Sequence, residues 1–321
     1  MIKTNFSPVI KWTGSKRSQA TEILKHFPRE IDTYYEPFVG GGSIMRTLLE
    51  SDIKVNRVVC SDINSDLIRL WMDIKNQPEK LIVGYNNLWS GLKGADDDKK
   101  RKTEYYNSVR SRFNKTRDTT DFLFLLRTCA NGLPRYNSRG EFNTSFHITR
   151  DGMRPAEMER IIREWNKLLQ EHDVTFRCCS YQDIQSSLED FLYLDPPYAN
   201  TKGIYYGNIC LKDFFAWMGK QKADYLLSFD GRCEQADNTY EVPEELFDNH
   251  FYIRSGNSSF RRMRGTARDS IVYESLYKKS SNMENNKDYK LIVDTHSLSK
   301  EKEEWKLHFE HSSFIKEAFE S

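Results

Sequence analysis

The sequence has no long apolar run. Its longest is Phe122-Leu123-Phe124-Leu125-Leu126, far short of the roughly 20 residues that a helix needs to cross a bilayer, so a membrane protein is not expected. The N-terminus, Met1-Ile2-Lys3-Thr4-Asn5, has no apolar signal core and no small-residue cleavage site, which argues against secretion. The six cysteines, Cys60, Cys129, Cys178, Cys179, Cys210 and Cys233, include no C-x-x-C pair. Zinc-ribbon and thioredoxin spacings are therefore absent, and free, mostly buried thiols in a reducing cytosol are expected. There is no H-E-x-x-H. His308 and His311 stand three apart in a polar tail with no cysteine or carboxylate to complete a site, so no metal is expected. A phosphate-binding G-x-x-x-x-G-K-[ST] loop is also missing, because Gly14-Ser15-Lys16-Arg17 has its lysine one place late. No internal repeat is visible.

Net charge is scarce too. The 321 residues carry 48 Lys and Arg against 47 Asp and Glu, a net +1. With 38% hydrophobic and 30% charged residues, the chain has the composition of one large or two modest folded domains. The near-neutral total hides unlike segments. Residues 101–154 hold 11 basic and 5 acidic residues, and residues 250–268 hold five arginines and no acid. Residues 155–249 hold 9 basic against 18 acidic. Two basic segments facing one ligand would make a nucleic-acid track.

Residues 31–62 read as strand, glycine turn, helix and strand. Strand propensity lies over Asp32–Glu36 and Arg57–Cys60, with a helix over Ile44–Glu50 that Ser43 can cap. Leu67–Ile74 is helical by pattern. From about 76 to 160 the pattern changes to a mostly helical insertion. Within it Tyr105–Asn114 and Asp121–Cys129 read as helices, Gly91–Gly94 as a loop, and Asn131–Arg154 as an irregular polar stretch. Alternation then resumes, with strands over Thr175–Cys178, Phe191–Leu194, Tyr225–Phe229, Phe251–Arg254 and Ile271–Tyr277 and helices over Pro155–His172 and Leu211–Gly219. The last two strands, joined by a loop alone, predict an antiparallel hairpin at a sheet edge. After Lys279 the chain turns polar, with a helix or disorder over about 299–319.

Two motifs carry chemistry. Glu36-Pro37-Phe38-Val39-Gly40-Gly41-Gly42-Ser43 lies where a strand passes into a helix, and its glycines let backbone approach a ligand closely. Asp62 ends the next strand, 22 residues after Gly40, where a carboxylate can accept hydrogen bonds from both hydroxyls of a ribose. Together they predict a nucleoside-containing cofactor. Met45 occupies the place of the third small residue of a dinucleotide fingerprint, which excludes that reading.

The second motif, Asp195-Pro196-Pro197-Tyr198, follows the buried run Phe191–Leu194. Two prolines cannot continue a central strand and fix a rigid extended exit, so Asp195 projects from a strand's C-terminal end. An exocyclic amine of a nucleobase is a poor nucleophile because its lone pair is conjugated into the ring. It needs acceptors that hold its nitrogen towards tetrahedral geometry. The Asp195 carboxylate and the Pro196 carbonyl can supply two, and Tyr198 offers a face for a flipped base.

These motifs, with Lys11-Trp12-Thr13-Gly14-Ser15-Lys16, Ser61–Ile68, Asn131–Asn143 and Ser180-Tyr181-Gln182-Asp183 in that linear order, resemble the DNA adenine-N6 methyltransferases of the Dam type over roughly residues 8–278. The resemblance implies an α/β fold, a Rossmann-like S-adenosylmethionine methyltransferase sheet with an antiparallel edge hairpin. It also implies a discontinuous catalytic domain (1–75 and 160–279), an inserted, mostly helical target-recognition domain (76–159) and a polar C-terminal extension (280–321). Asp195, Pro196, Pro197 and Tyr198 would be catalytic, and S-adenosylmethionine the cofactor. Trp12, Lys16, Glu36, Pro37, Phe38, Gly40, Gly42, Asp62, Ser180, Tyr181 and Asp195 would hold it. Lys11, Asn131, Arg135, Tyr136 and Arg139 would meet duplex DNA, as would Arg261, Arg262 and Arg264 in the late loop. Arg135 is the candidate for bidentate contact to guanine. The resemblance also implies a cytoplasmic protein, bacterial or phage-encoded, and allows a restriction endonuclease partner reading the same site. An RNA amine methyltransferase and a catalytically silent DNA-binding protein are the alternatives.

Overall fold

The computed structural model describes residues 7–94, 98–197, 209–233, 236–237, 239, 241–255 and 272–280. Nine strands form one sheet: β1 (Glu30–Glu36), β2 (Lys54–Asp62), β3 (Val174–Cys178), β4 (Phe191–Leu194), β5 (Asp224–Phe229), β6 (Arg232–Cys233), β7 (Ala236–Asp237), β8 (Asn249–Ser255) and β9 (Val272–Lys279). The order is β3-β2-β1-β4-β5-β9-β6-β7, with β8 also paired to β9. The first five are mutually parallel, and β9 is antiparallel to β5. From β1 the chain builds outward through β2 and β3, then returns to the other side of β1 for β4. The order reverses between β1 and β4, and open α/β sheets bind ligands beside such a reversal, at the carboxyl ends of the strands.

Side-chain alternation shows why both faces are covered. On β4, Phe191 and Tyr193 enter one hydrophobic cluster while Leu192 and Leu194 enter the other, as a strand's two-residue period requires. The first cluster takes in α1 (Ala20–Leu24), α2 (Ser43–Leu49), α3 (Ser65–Asn76), α4 (Pro78–Lys93), α5 (Lys99–Thr116), α6 (Thr119–Thr128) and α7 (Pro155–Gln170). Trp71 anchors it, stacked on Phe176 at 5.5 Å between ring centres and tilted against Trp165 at 4.8 Å. The second cluster lies under α8 (Leu211–Met218), through Phe214, Trp217 and Met218. Parallel strands covered on both faces read as continuous apolar runs, which is how Phe191–Leu194 was legible.

Three expectations change. Ser43 is not the cap of α2 but its first residue. Gly42 takes the cap position with a φ of 67°, and the Ser43 hydroxyl instead meets that of Ser15 at 2.9 Å. Gly91 and Gly94 mark no loop before residue 93, since α4 runs through Lys93. Its glycines serve helix packing: a Cβ on Gly84 would run into Thr120 of α6, and one on Gly91 into Tyr105 of α5. As expected, the last two strands pair antiparallel at one side of the sheet, β8 outermost and β9 between it and β5. The thiols also depart from a mostly buried set. Cys60 and Cys129 are buried, Cys179 is intermediate, and Cys178 and Cys210 are exposed at a strand end and before a helix.

Residues 129–154 have little regular structure. Two isolated bridges, Cys129 with Phe146 and Tyr136 with Phe142, fold them into nested hairpins. Asp151 ties the far end to Lys93 and Lys102 at 2.8 and 2.9 Å. No helix among the described residues is long and apolar enough to cross a membrane. The polar extension from 281 onward, with His308 and His311, lies outside the described residues.

Candidate functional site

The carboxyl ends of β1, β2, β3 and β4 open into a cavity of about 310 Å³, in the range of small-molecule sites. Of the residues expected to hold a cofactor, Trp12, Lys16, Glu36, Phe38, Gly40, Gly42, Asp62, Ser180, Tyr181 and Asp195 all line it, with Pro196 and Pro197. Pro37 is buried and is not among the lining residues.

The glycine turn is locked from several sides. Gly42 N–H donates to the Val39 carbonyl at 2.8 Å, Val39 N–H to Ser61 at 3.0 Å, and the Trp71 indole to the Gly40 carbonyl at 3.0 Å. Gly40 has a φ of 45°, and a Cβ there would lie 2.9 Å from Trp12 Cδ1. The absent side chain is what lets Trp12 lie against the turn. Asp62 accepts N–H bonds from Asn64, at 2.9 Å, and from Gly40 and Ile63. Acid and turn are thus fixed on each other, with the cavity in front of both. Burial pushes the Asp62 carboxyl up to about 6, against those three N–H groups, which lower it.

On the far wall, Ser180 opens a capping box in which its N–H donates to Asp183 at 2.9 Å. This presents Tyr181, whose ring is wedged among Phe38, Phe214 and Trp217 at 5.2–5.8 Å between centres. Thr13, Gly14, Ser15, Ile63 and Gln182, which belong to the matching segments but had no role assigned from sequence, also line the cavity, as do Tyr193, Ile209, Cys210 and Asp213.

Around Asp195 lies a charged cluster that sequence did not reveal. Lys16 is only 4% exposed, and its ammonium meets Asp195 Oδ1 at 2.7 Å and Glu274 Oε2 of β9 at 3.5 Å. Burial alone would lower the Lys16 pKa, but these carboxylates outweigh it and hold the group protonated. Asp230, just past β5, is pushed up to about 6 by burial and by Glu274 and Asp195. Glu36 accepts the Tyr34 hydroxyl at 2.8 Å and is pushed up to about 8, chiefly by burial. Among the described residues no group of three or more His, Cys, Asp or Glu is arranged to hold a metal ion.

The residues expected at DNA stand in different situations. Lys11 lies over Gly132, where a Cβ would collide with its stem. Burial and the neighbouring Arg150 and Arg127 lower its pKa. Asn131 is exposed with a φ of 58°. Arg135 is exposed, its backbone tied on both sides to Asn143 and Thr144. Arg139 is 79% exposed and paired with Glu141 at 2.9 Å. Tyr136 is half-buried with its hydroxyl on Asp66 at 3.1 Å, so it anchors the segment rather than presenting its hydroxyl to a base. Tyr198, Arg261, Arg262 and Arg264 lie outside the described residues.

A parallel sheet with a glycine turn, a ribose-type acid and Asp-Pro-Pro at adjacent strand ends defines the class of nucleoside-cofactor methyltransferases. A family model described as D12 class N6 adenine-specific DNA methyltransferase matches residues 12–249, and the chain belongs to that family. It is 34% identical over 206 residues to the type II methyltransferase M.MjaIII of Methanocaldococcus jannaschii, covering 60% of this chain and 68% of that protein. It is 33% identical over 197 residues to the DNA adenine methylase of Escherichia coli K12 and 32% over 203 residues to that of Haemophilus influenzae. These matches cover 59% and 61% of this chain, and 64% and 65% of the two methylases, just under two thirds of their length. Among solved structures, an rRNA methyltransferase from Streptomyces viridochromogenes aligns over 85% of this chain and 84% of its own, at 13% identity and a TM-score of 0.35, too distant to bear on substrate.

Family membership carries S-adenosylmethionine as methyl donor, and the cavity fits it. A fixed carboxylate suits two ribose hydroxyls, the aromatic wall at Tyr181 and Phe38 suits a purine, and Trp12 with the acidic cluster suits a cationic sulfonium. A carboxylate accepts two hydroxyls only when ionised, so if Asp62 holds the ribose, cofactor affinity is expected to fall below pH 6, by about tenfold from neutral pH to pH 5. Calorimetry across that range checks it. Asp62→Asn should bind weakly but without that pH step, and an identical step in the variant would refute the assignment.

Proposed function

We propose that this chain transfers the methyl group of S-adenosylmethionine to N6 of an adenine flipped out of duplex DNA. The observation that carries the reading is Asp195 at the end of β4, facing the same cavity as Asp62 and the glycine turn. The bound cofactor supplies an electrophilic methyl group. Asp195 and the Pro196 carbonyl accept the two N–H bonds of the target amine and turn its lone pair out of conjugation. Lys16, on Asp195 Oδ1, fixes the carboxylate so that its other oxygen faces the amine. Tyr198 is proposed to stack on the flipped base, and no metal or covalent enzyme intermediate is needed. Incubating the full chain with labelled cofactor and either duplex DNA or structured RNA tests this. Label on adenine N6 of DNA supports it, and preference for RNA overturns it.

Residues 76–159 are proposed to read the target. Lys11, Asn131, Arg135 and Arg139 face DNA from this side, and Arg261, Arg262 and Arg264 are assigned to the other. If four of these cations meet phosphates, affinity should fall about 150-fold between 50 and 200 mM salt. A titration with flat affinity over that range would contradict a phosphate-tracking surface. The relatives named as type II methyltransferases support a restriction endonuclease that reads the same site as partner, one not required for transfer. The cytoplasm is the proposed location.

A further inference from the structure

Asp66 stands between two sites that the sequence presents separately. It is buried, two residues after the Asn64 cap of α3. Its N–H and that of Leu67 donate to the Asn64 side chain at 3.0 and 3.1 Å, while the Asn64 N–H donates to Asp62 Oδ1 at 2.9 Å. Asp62, Asn64 and Asp66 are therefore links of one hydrogen-bonded turn.

The Asp66 carboxylate reaches the segment assigned to DNA. Its Oδ2 accepts the Tyr136 hydroxyl and the Arg117 guanidinium, both at 3.1 Å, and its Oδ1 accepts Arg69 at 2.5 Å. Arg117 donates onward to the Gly140 carbonyl at 2.7 Å. Tyr136 pairs with Phe142 across the hairpin, ring centres 5.8 Å apart. Arg117 ends α5 with a φ of 56°, the left-handed turn by which helices commonly terminate, and its N–H donates to the Phe113 carbonyl. A single buried carboxylate, four residues from Asp62, thus holds the base of the hairpin carrying Arg135 and Arg139.

We propose that Asp66, through Tyr136 and Arg117, is a positioning residue for sequence recognition that couples cofactor occupancy at Asp62 to the placement of the Arg135–Arg139 hairpin. The proposal rests on the preceding assignment of Asp62 to the ribose and of residues 131–139 to the target. Ribose bound to Asp62 fixes the turn, and the turn fixes the carboxylate on which the hairpin is hung. Coupling of this kind is reciprocal, so the correct duplex must tighten cofactor binding by the factor by which cofactor tightens the duplex.

The test uses the full chain and two variants, Tyr136→Phe, which keeps the ring and removes the hydroxyl, and Asp66→Asn. The methylated sequence is first mapped by methyladenine-detecting sequencing of DNA from an unmethylated host that expresses the protein. Absence of any methyladenine would refute the function itself, separately from the coupling. Calorimetry then gives the affinity for S-adenosylhomocysteine with and without that duplex. Kinetics give kcat and KM for the mapped site and for single-base changes of it. In Tyr136→Phe, cofactor affinity without DNA is expected to stay within about twofold, the enhancement by the mapped duplex to drop about fivefold or more, and discrimination to fall through KM. Asp66→Asn should shift the same quantities the same way. The proposal is overturned if enhancement and discrimination stay at the parent values in the variants while only thermal stability drops, or if the parent protein binds cofactor equally well with and without DNA.

Discussion

Asp195→Asn is expected to slow single-turnover methyl transfer by about 10²–10³-fold, the usual worth of one preorganised hydrogen-bonding group in a transition state, while binding to duplex DNA changes little. The substitution is isosteric, so packing at the end of β4 survives. What changes is the pattern of donors. In the parent, Lys16 takes Oδ1 at 2.7 Å and leaves an oxygen for the target amine. An asparagine must put its amide nitrogen on one side or the other. Turned towards Lys16 it sets donor against cation, and turned towards the amine it sets donor against donor. The first orientation repels the Lys16 ammonium and is disfavoured, so the second prevails and the amine loses the acceptor that draws its lone pair from the ring. Quenched-flow measurement with labelled cofactor at saturating enzyme checks this, and a rate within threefold of the parent would remove Asp195 from the mechanism.

The second large effect falls on stability. Lys16→Met leaves the Asp195 and Glu274 carboxylates facing each other beside Asp230 without their shared cation. Stranding partly buried charge in this way costs about 3–5 kcal/mol. The sign of its pH dependence follows from the groups left behind. Asp230 is already pushed up to about 6 by burial and by Glu274 and Asp195, against the pull of Lys16, and loss of the cation raises it further. A carboxyl whose folded pKa is raised is tolerated as the neutral acid at low pH and destabilises the fold once it ionises, so the deficit relative to the parent should be larger at pH 8 and shrink towards pH 5. Urea unfolding at both values measures it. Adding Glu274→Gln to Lys16→Met should restore part of the loss, a non-additivity expected of groups in contact. Strictly additive losses would mean that Glu274 and Lys16 do not share a network.

Why Asp195 and Asp62 could be read from sequence while Glu274 and Asp230 could not is a matter of chain distance. Asp62 and the glycine turn belong to one strand–helix–strand unit, and Asp195 is marked by the prolines beside it. Their meeting follows from the rule that ligands gather at strand ends. Glu274 reaches Lys16 from a strand 258 residues later, on the antiparallel side of the sheet, and nothing local distinguishes it from an exposed strand glutamate. The strands were legible because burial on both faces leaves only apolar residues in runs such as Phe191–Leu194. The extent of α4 was not, because Gly91 is read as a breaker unless the Tyr105 ring that fills its place is known. Tyr136 shows the same limit from the other side. Its motif position marked it for DNA, and only its distance to Asp66 shows its hydroxyl engaged within the protein.

The hairpin closed by the Tyr136–Phe142 bridge has an economy of its own. Between those two rings lie Asn137, Ser138, Arg139, Gly140 and Glu141, folded on themselves by Asn137–Glu141 and Gly140–Asn137 bonds. Apart from the Gly140 carbonyl held by Arg117, the tip draws its support from within. A new tip can be exchanged there as a cassette, provided its frame of Tyr136, Phe142 and a carbonyl at position 140 is kept. If the hairpin reads the target as proposed, part of that reading can change within five residues while the sheet and its chemistry stay as they are.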